Sequence, residues 1–373
     1  MLNYDYIIIG AGISGCSIAF ELSKHTDNIL IIDKLPDVAS GASGAAGAFL
    51  SPLLGKPNDF KDLLTKSLKY STNFYKQNFR KYIDNCGTTR IPQDNEDTQK
   101  FKSYINYMDF EYEKENDGYF FKIGSIVNSY GLCKAMIESC KNNITKKFHY
   151  KVKTLTYEND MWYLNHEIKT KNIIFTIGSD VALIDQFYLN IRAVWGRRID
   201  ISTTTEFTHN YHKACSISKS HTISANKSIV SIGSTHHRNE DEINDILSNT
   251  QELLQKANDI KTLENVEVLN HYVGARACSV DYFPIVGEII DSEKTIAKFP
   301  YLLNGTNVDS KRFTRFKNLY LLTGVGGRGF VLAPYLAKQL VEYIINGKDI
   351  DENIKIDRLF KREVKRYRNP LGI

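Results

Sequence analysis

Glycines spaced as GAGISG at residues 10–15 follow a β-branched run, Ile7, Ile8 and Ile9, and Asp33 closes a second apolar run 18 positions beyond Gly15. Each has a chemical reading. Gly10 permits a tight turn, Gly12 lets the backbone approach a pyrophosphate, Gly15 allows close packing of a helix on a strand, and phosphate charge then rests on the helix N-terminus. The Asp33 carboxylate accepts hydrogen bonds from ribose hydroxyls, which favours FAD or NAD over NADP. A strand before the glycines, a helix after them and an acid at the right distance agree, so nucleotide binding is preferred to a ligand-free turn.

These residues need a βαβ unit to position them, and apolar spacing supplies one at the start of the chain. The small-residue segment 36–57 reads either as a linker or as backbone passing close to a flat ligand, and its position after the motif favours the second. Residues 58–82 have helical spacing, and the polar stretch 90–114 is expected as a surface excursion. A helix is expected over 131–140, with Cys133 and Cys140 on one face, then hairpin strands at 151–157 and 161–164, and a buried strand over 172–178. Residues 191–284 alternate as antiparallel strands, beginning as an edge strand with solvated Arg197 and Arg198, and are interrupted by a helix over 240–257. A last buried strand from 318 enters a glycine turn, and Leu332, Leu336, Leu340 and Ile344 form a helical stripe stopped by Gly347. Nucleotide-fold elements thus occur early, in the middle and late, with antiparallel material inserted.

The 373 residues are 42% hydrophobic and 24% charged, which excludes a disordered or collagen-like chain. A net charge of +5 is too mild to announce a nucleic-acid binder. No apolar run approaches the ~18 residues of a membrane span, and no basic n-region precedes the motif, so a cytoplasmic location is expected. Six cysteines without paired spacing fit reduced thiols, and nine histidines without an HExxH give a metal no support.

Taken together, GAGISG at 10–15, ASGASGAAG at 39–47, the strand ending at Gly178, GARA at 274–277 with DYFPIVG at 281–287, and GVGGRGFVLAP at 324–334 resemble the D-amino-acid oxidase and glycine oxidase superfamily of FAD-dependent amine oxidoreductases. GAFLSPLL at 47–54 and SIGSTHHRN at 231–239 look like its tRNA wobble-uridine-modifying subgroup. The resemblance implies an α/β fold, α+β overall. A Rossmann-like FAD-binding domain would take 1–60, 121–190 and 300–373, and an inserted antiparallel-sheet substrate domain 61–120 and 191–299. It implies noncovalent FAD, with Cys278 left as a buried thiol. FAD contacts are expected at Gly10, Gly12, Ser14, Gly15, Asp33 and Lys34, then at Ser40, Ser43, Gly44 and Gly47. Val152 and Gly178 follow, and finally Gly324, Gly327, Arg328, Gly329 and Phe330.

Arg276 lies where the family places a carboxylate-binding arginine, and Arg328 lies in the turn facing the flavin's reactive end, so both are expected to be catalytic. Their planar forks suit a carboxylate. Tyr272, His271, His236 and His237 are expected near the pocket, with none assigned as general base. The implied reaction is oxidation of carboxymethylaminomethyluridine in tRNA to aminomethyluridine with release of glyoxylate, methylation being left to a separate methyltransferase partner. The alternatives are an oxidase of glycine, sarcosine or D-amino acids, and a noncatalytic flavoprotein or RNA-binding module. The tail 355–368 has seven basic and two acidic residues and is either a solvated helix or a contact for RNA phosphates.

Overall fold

The computed structural model describes residues 2–140, 144–224 and 227–367. Strand Leu2–Ile9 leads into helix Ile13–Leu22 and returns as strand Ile29–Ile32, parallel to the first with Tyr6 opposite Ile29 and Ile9 opposite Ile32. Alternate side chains enter two different cores. Ile8 and Ile31 pack with helix residue Ile18, while Ile7, Ile9 and Ile32 pack on the other side. That two-sided burial is why these strands read as continuous apolar runs.

Five parallel strands stand in the spatial order Thr145–Lys147, Ile29–Ile32, Leu2–Ile9, Ile168–Phe175 and Arg315–Thr323. Ile285–Ile290 adds antiparallel to the last of these. The expected hairpin forms between Leu155–Glu158 and Met161–Leu164. Strand order reverses between Leu2–Ile9 and Ile168–Phe175, so a crevice opens at their carboxyl ends, the usual place for a ligand in such sheets.

A second sheet runs Glu267–Ser279, Ile191–Thr203, Lys227–Gly233, Ser216–Ser224, Asn210–His212, Thr88–Arg90, Gly118–Phe121, Glu113–Glu115. Neighbours are antiparallel except Asn210–His212 with Thr88–Arg90, which pair in parallel. Strand Ile191–Thr203 is interior, flanked on both sides, and not the edge strand expected. Arg197 is only 5% exposed and donates to the Ile243 carbonyl at 2.7 Å, and Arg198 donates to Ala46 O at the same distance. Neither arginine is solvated, because long apolar stems let both lie along the sheet and find carbonyls. The expected helix over 240–257 is two, Glu240–Asn244 and Ile246–Asn258, since Asp245 accepts from Ser248 N and starts the second. Residues 90–114 hold helix Asn95–Ser103 with Phe101 buried, and Arg90 ends an inner strand, so this is no mere surface excursion. Helix Ser129–Glu138 stops before Cys140, yet Cys133 and Cys140 both pack on the same core cluster, as expected of one face.

The long helix Gly329–Asn346 packs against Ile13–Leu22 and Asp59–Asn78. It contains Pro334, which has no N–H to offer the Phe330 carbonyl four residues back. The buried Tyr75 hydroxyl, on Asp59–Asn78, donates to that oxygen at 2.8 Å, and Ser71 Oγ donates to Val331 O at 2.7 Å. The helix ends at Gly347 in the left-handed conformation.

The tail forms helix Asp357–Tyr367, seated through buried Leu359, Phe360 and Val364. Arg358 pairs with Asp281 at 3.0 Å and Lys355 with Glu352 at 2.7 Å. Much of its charge is thus neutralised, while Arg368 lies outside the described residues. No helix among the described residues is long and apolar enough to cross a membrane.

Candidate active site

A Cβ on Gly10, whose φ is +109°, would stand 2.4 Å from the Thr176 carbonyl oxygen, and one on Gly15 would stand 1.9 Å from Gly10 O. Both positions therefore require glycine. Helix Ile13–Leu22 has no acid in its first turn and a side-chain-free N-cap, Gly12, which leaves its N-terminal dipole open to an anion. Ser43 Oγ accepts from Ile13 N at 2.9 Å and ties the small-residue loop to this helix end. Asp33 accepts from Ala11 N at 2.6 Å through Oδ2 and from Leu35 N at 2.9 Å through Oδ1. Each oxygen retains a lone pair. An open helix end, close-packed glycines and a fixed carboxylate with spare acceptor capacity fit a dinucleotide.

Other expected contacts are partly engaged already. Lys34 pairs with Asp180 at 2.6 Å, and Ser40 Oγ donates to Asp37 O at 2.8 Å within its own turn. Val152 has a buried side chain and offers only backbone. The Gly178 carbonyl accepts from Thr323 Oγ1 at 2.6 Å, joining the ends of two neighbouring strands.

The glycine turn at Gly326–Arg328 meets the end of strand Glu267–Ser279 through a Cys278 to Val325 bridge. Burial raises the Cys278 thiol above its usual range. Gly274 carries helix Ala42–Ala45 against the same strand, since a Cβ there would be 2.8 Å from Ala42 Cα. Arg276 crosses Gly196 with its fork on protein oxygens. Nη1 donates to Val194 O at 3.5 Å and Trp195 O at 3.4 Å, and Nη2 to Thr235 O at 3.2 Å and to the Ser234 hydroxyl. Arg276 does not pair with Asp281, which belongs to Arg358.

Arg328 donates to Ser51 O at 3.4 Å, and burial pushes its guanidinium down to about 10. Arg90 reaches the same segment, donating to Pro52 O at 3.0 Å and Ser51 Oγ at 3.4 Å. Burial, then repulsion from Arg328, pushes Arg90 down to about 9. An arginine stays charged in practice, so such a shift measures how poorly the cation is compensated. Arg–carboxylate pairs occur at Arg198, Arg315, Arg358, Arg362 and Arg366. Arg90, Arg276 and Arg328 have none among the described residues.

His212 stacks on Phe49, and burial, then Arg90 and Arg328, hold it neutral well below the usual histidine range. His236 is lowered by burial and by Arg276. His237 contacts Asn249 at 2.7 Å and Glu242 at 3.1 Å, so it braces helices instead of lining the pocket, and His271 is exposed. Tyr272 lies under the Arg198 guanidinium, 3.9 Å from ring centroid to carbon. Sequence reasoning missed Arg90 and His212 as site residues, because nothing local ties strand Thr88–Arg90 to Asn210–His212. The arrangement can hold an anion, and its side chains offer no electron acceptor, which a bound redox cofactor would provide.

A family model described as DAO, FAD dependent oxidoreductase, matches residues 5–343. The tRNA 5-methylaminomethyl-2-thiouridine biosynthesis bifunctional protein MnmC of Legionella pneumophila (strain Corby) is 25% identical over 370 residues, covering 91% of this chain and 54% of that protein. MnmC of Campylobacter jejuni (strain RM1221) is 25% identical over 362 residues, covering 92% of this chain and 56% of its own length. The chain spans about half the length of these curated relatives. Glycine oxidase from Bacillus cereus ATCC 14579 superposes with a TM-score of 0.74 at 17% identity, covering 93% of this chain and 96% of that one. Iminodiacetate oxidase from Chelativorans sp. BNC1 gives 0.71 at 16% identity, covering 94% and 98%.

Proposed function

The chain belongs to the DAO family of FAD-dependent oxidoreductases, and on that premise we propose that it oxidises the carboxymethylaminomethyl group of a tRNA wobble uridine. Bound FAD supplies the hydride acceptor. The methylene between nitrogen and carboxylate gives up a hydride and the nitrogen a proton, forming a C=N bond. Water adds across that bond, the C–N bond breaks, and glyoxylate and aminomethyluridine leave. A methyltransferase would act on the resulting primary amine.

The observation that carries this reading is that Arg90, Arg276 and Arg328 have no carboxylate partner among the described residues, while Gly327 lies against Arg276 and Gly329 against Ile13 at the dinucleotide crevice. Such a group orients a carboxylate. Arg276 and Arg328 border the glycine turn at the substrate's carboxylate end, Arg276 as a wall of that pocket braced by protein oxygens. The crevice residues Gly10, Gly12, Ser14, Gly15 and Asp33 would hold the pyrophosphate and ribose of noncovalent FAD, with Ser43, Gly44, Gly47, Gly178, Gly324, Gly327, Gly329 and Phe330 along the rest. Support for tRNA comes from the MnmC relatives, matched over most of this chain.

Anaerobic incubation with tRNA bearing the group tests the reading: the yellow colour should bleach and glyoxylate should appear. Resemblance to glycine oxidase favours one second reading, a small-molecule amine oxidase. Bleaching by glycine or sarcosine with tRNA inert would establish it instead.

A further inference from the structure

Strands Thr88–Arg90 and Asn210–His212 pair in parallel with Arg90 directly opposite His212, so both residues lie on one face of the second sheet. The neighbouring segment is 49–52, where Phe49 stacks on His212 and Arg90 and Arg328 both donate to Ser51. Arg90 Nε and His212 Nδ1 are shut off from solvent and have no hydrogen-bond partner among the described residues. No protein oxygen takes up the Nε edge of Arg90, so that edge keeps its donor capacity. The contrast with Arg276 is chemical. Both Nη atoms of Arg276 already serve protein oxygens, whereas Arg328 makes one long bond, at 3.4 Å, and Arg90 leaves one edge unused.

We propose that Arg90, together with Arg328 across Ser51, forms the seat for the substrate's carboxylate, and that Arg90 determines specificity for a carboxylate-bearing amine. The inference rests on the reading above that the oxidised substrate carries a carboxylate. His212 completes the seat as a neutral imidazole that adds no third positive charge. Two guanidinium groups that repel one another are brought to rest by a single shared anion.

The test uses FAD-loaded protein titrated with glycolate and with glycolamide, following the visible flavin spectrum. Wild type should prefer glycolate. Arg90→Met should weaken glycolate binding about 10- to 100-fold while glycolamide changes by less than about twofold. Arg90→Lys, which keeps the charge and loses the fork, should fall between, and Arg328→Lys supplies the same comparison if Arg90→Met does not fold. Equal weakening of both ligands would mark Arg90 as scaffold and overturn the proposal. So would unchanged glycolate affinity, a wild type indifferent to the two ligands, or an effect confined to FAD retention. Wild type that selects glycolate but is inert towards tRNA would sink the tRNA reading alone. A tRNA-active wild type whose Arg90→Met variant keeps glycolate affinity would sink the seat alone.

Discussion

Arg90 shows how a residue's chemistry is set by neighbours that its own sequence context conceals. It lies in a polar stretch that reads as surface, yet it shares Ser51 with Arg328. The glycines were legible because their reasons are local. Gly15→Ala would drive a methyl into Gly10 O, so we expect about 1–3 kcal/mol lost in chemical denaturation together with a protein purified colourless. Arg276→Met removes the braces to Val194 O and Thr235 O, so it should retain FAD yet raise the substrate concentration for half-maximal flavin reduction at least about tenfold, and an unchanged value would leave the carboxylate to Arg90 and Arg328 alone. His212 and His236 both have folded-state values below the ordinary 6.5. The unfolded chain therefore binds more protons, and stability is fully present above about pH 6.5 and falls as the pH drops below it. Urea midpoints at pH 8 and pH 5.5 should show that fall, and His212→Asn should flatten it.

Pro334 sits inside the last long helix without breaking it, because Tyr75 on a facing helix replaces the missing N–H at Phe330 O. Tyr75→Phe would leave that buried carbonyl unsatisfied and should cost about 1–3 kcal/mol, measurable as a lower Tm with the flavin still bound. A conservative change would thus act on the helix that starts at the glycine turn. The helical stripe of Leu332, Leu336 and Leu340 announced this element in advance, and Gly347 its end. The break at Asp245 was not legible, since an N-cap inside a helical pattern looks like one more polar residue. Nor was the interior place of Ile191–Thr203, because two arginines on a strand look solvent-facing until their carbonyl partners are known.

Across the whole molecule, charge is distributed less simply than the basic tail implied. Arg358 joins the tail helix to Asp281 and the Phe283 carbonyl, whereas Lys365 and Arg366 are exposed. Arg358→Ala should therefore lower Tm, by about 1–3 kcal/mol of stability, and leave tRNA affinity intact. Replacing Lys365 and Arg366 with alanine should leave Tm intact and, if the tail meets phosphates, flatten the salt dependence of tRNA binding by about one to two counterions. The α/β class and the βαβ entrance followed from periodicity, whereas long-range pairing between sheet segments has no local code. The parallel contact of Thr88–Arg90 with Asn210–His212 is the clearest case, joining stretches about 120 residues apart. On the ribosome, the antiparallel partner Gly118–Phe121 emerges soon after Thr88–Arg90, but the other edge waits until residue 212 has been synthesised. During that interval the half-made protein presents an open strand edge, the feature that recruits unwanted neighbours. Conditions that slow elongation between these segments should therefore lower the soluble yield before they affect the finished protein.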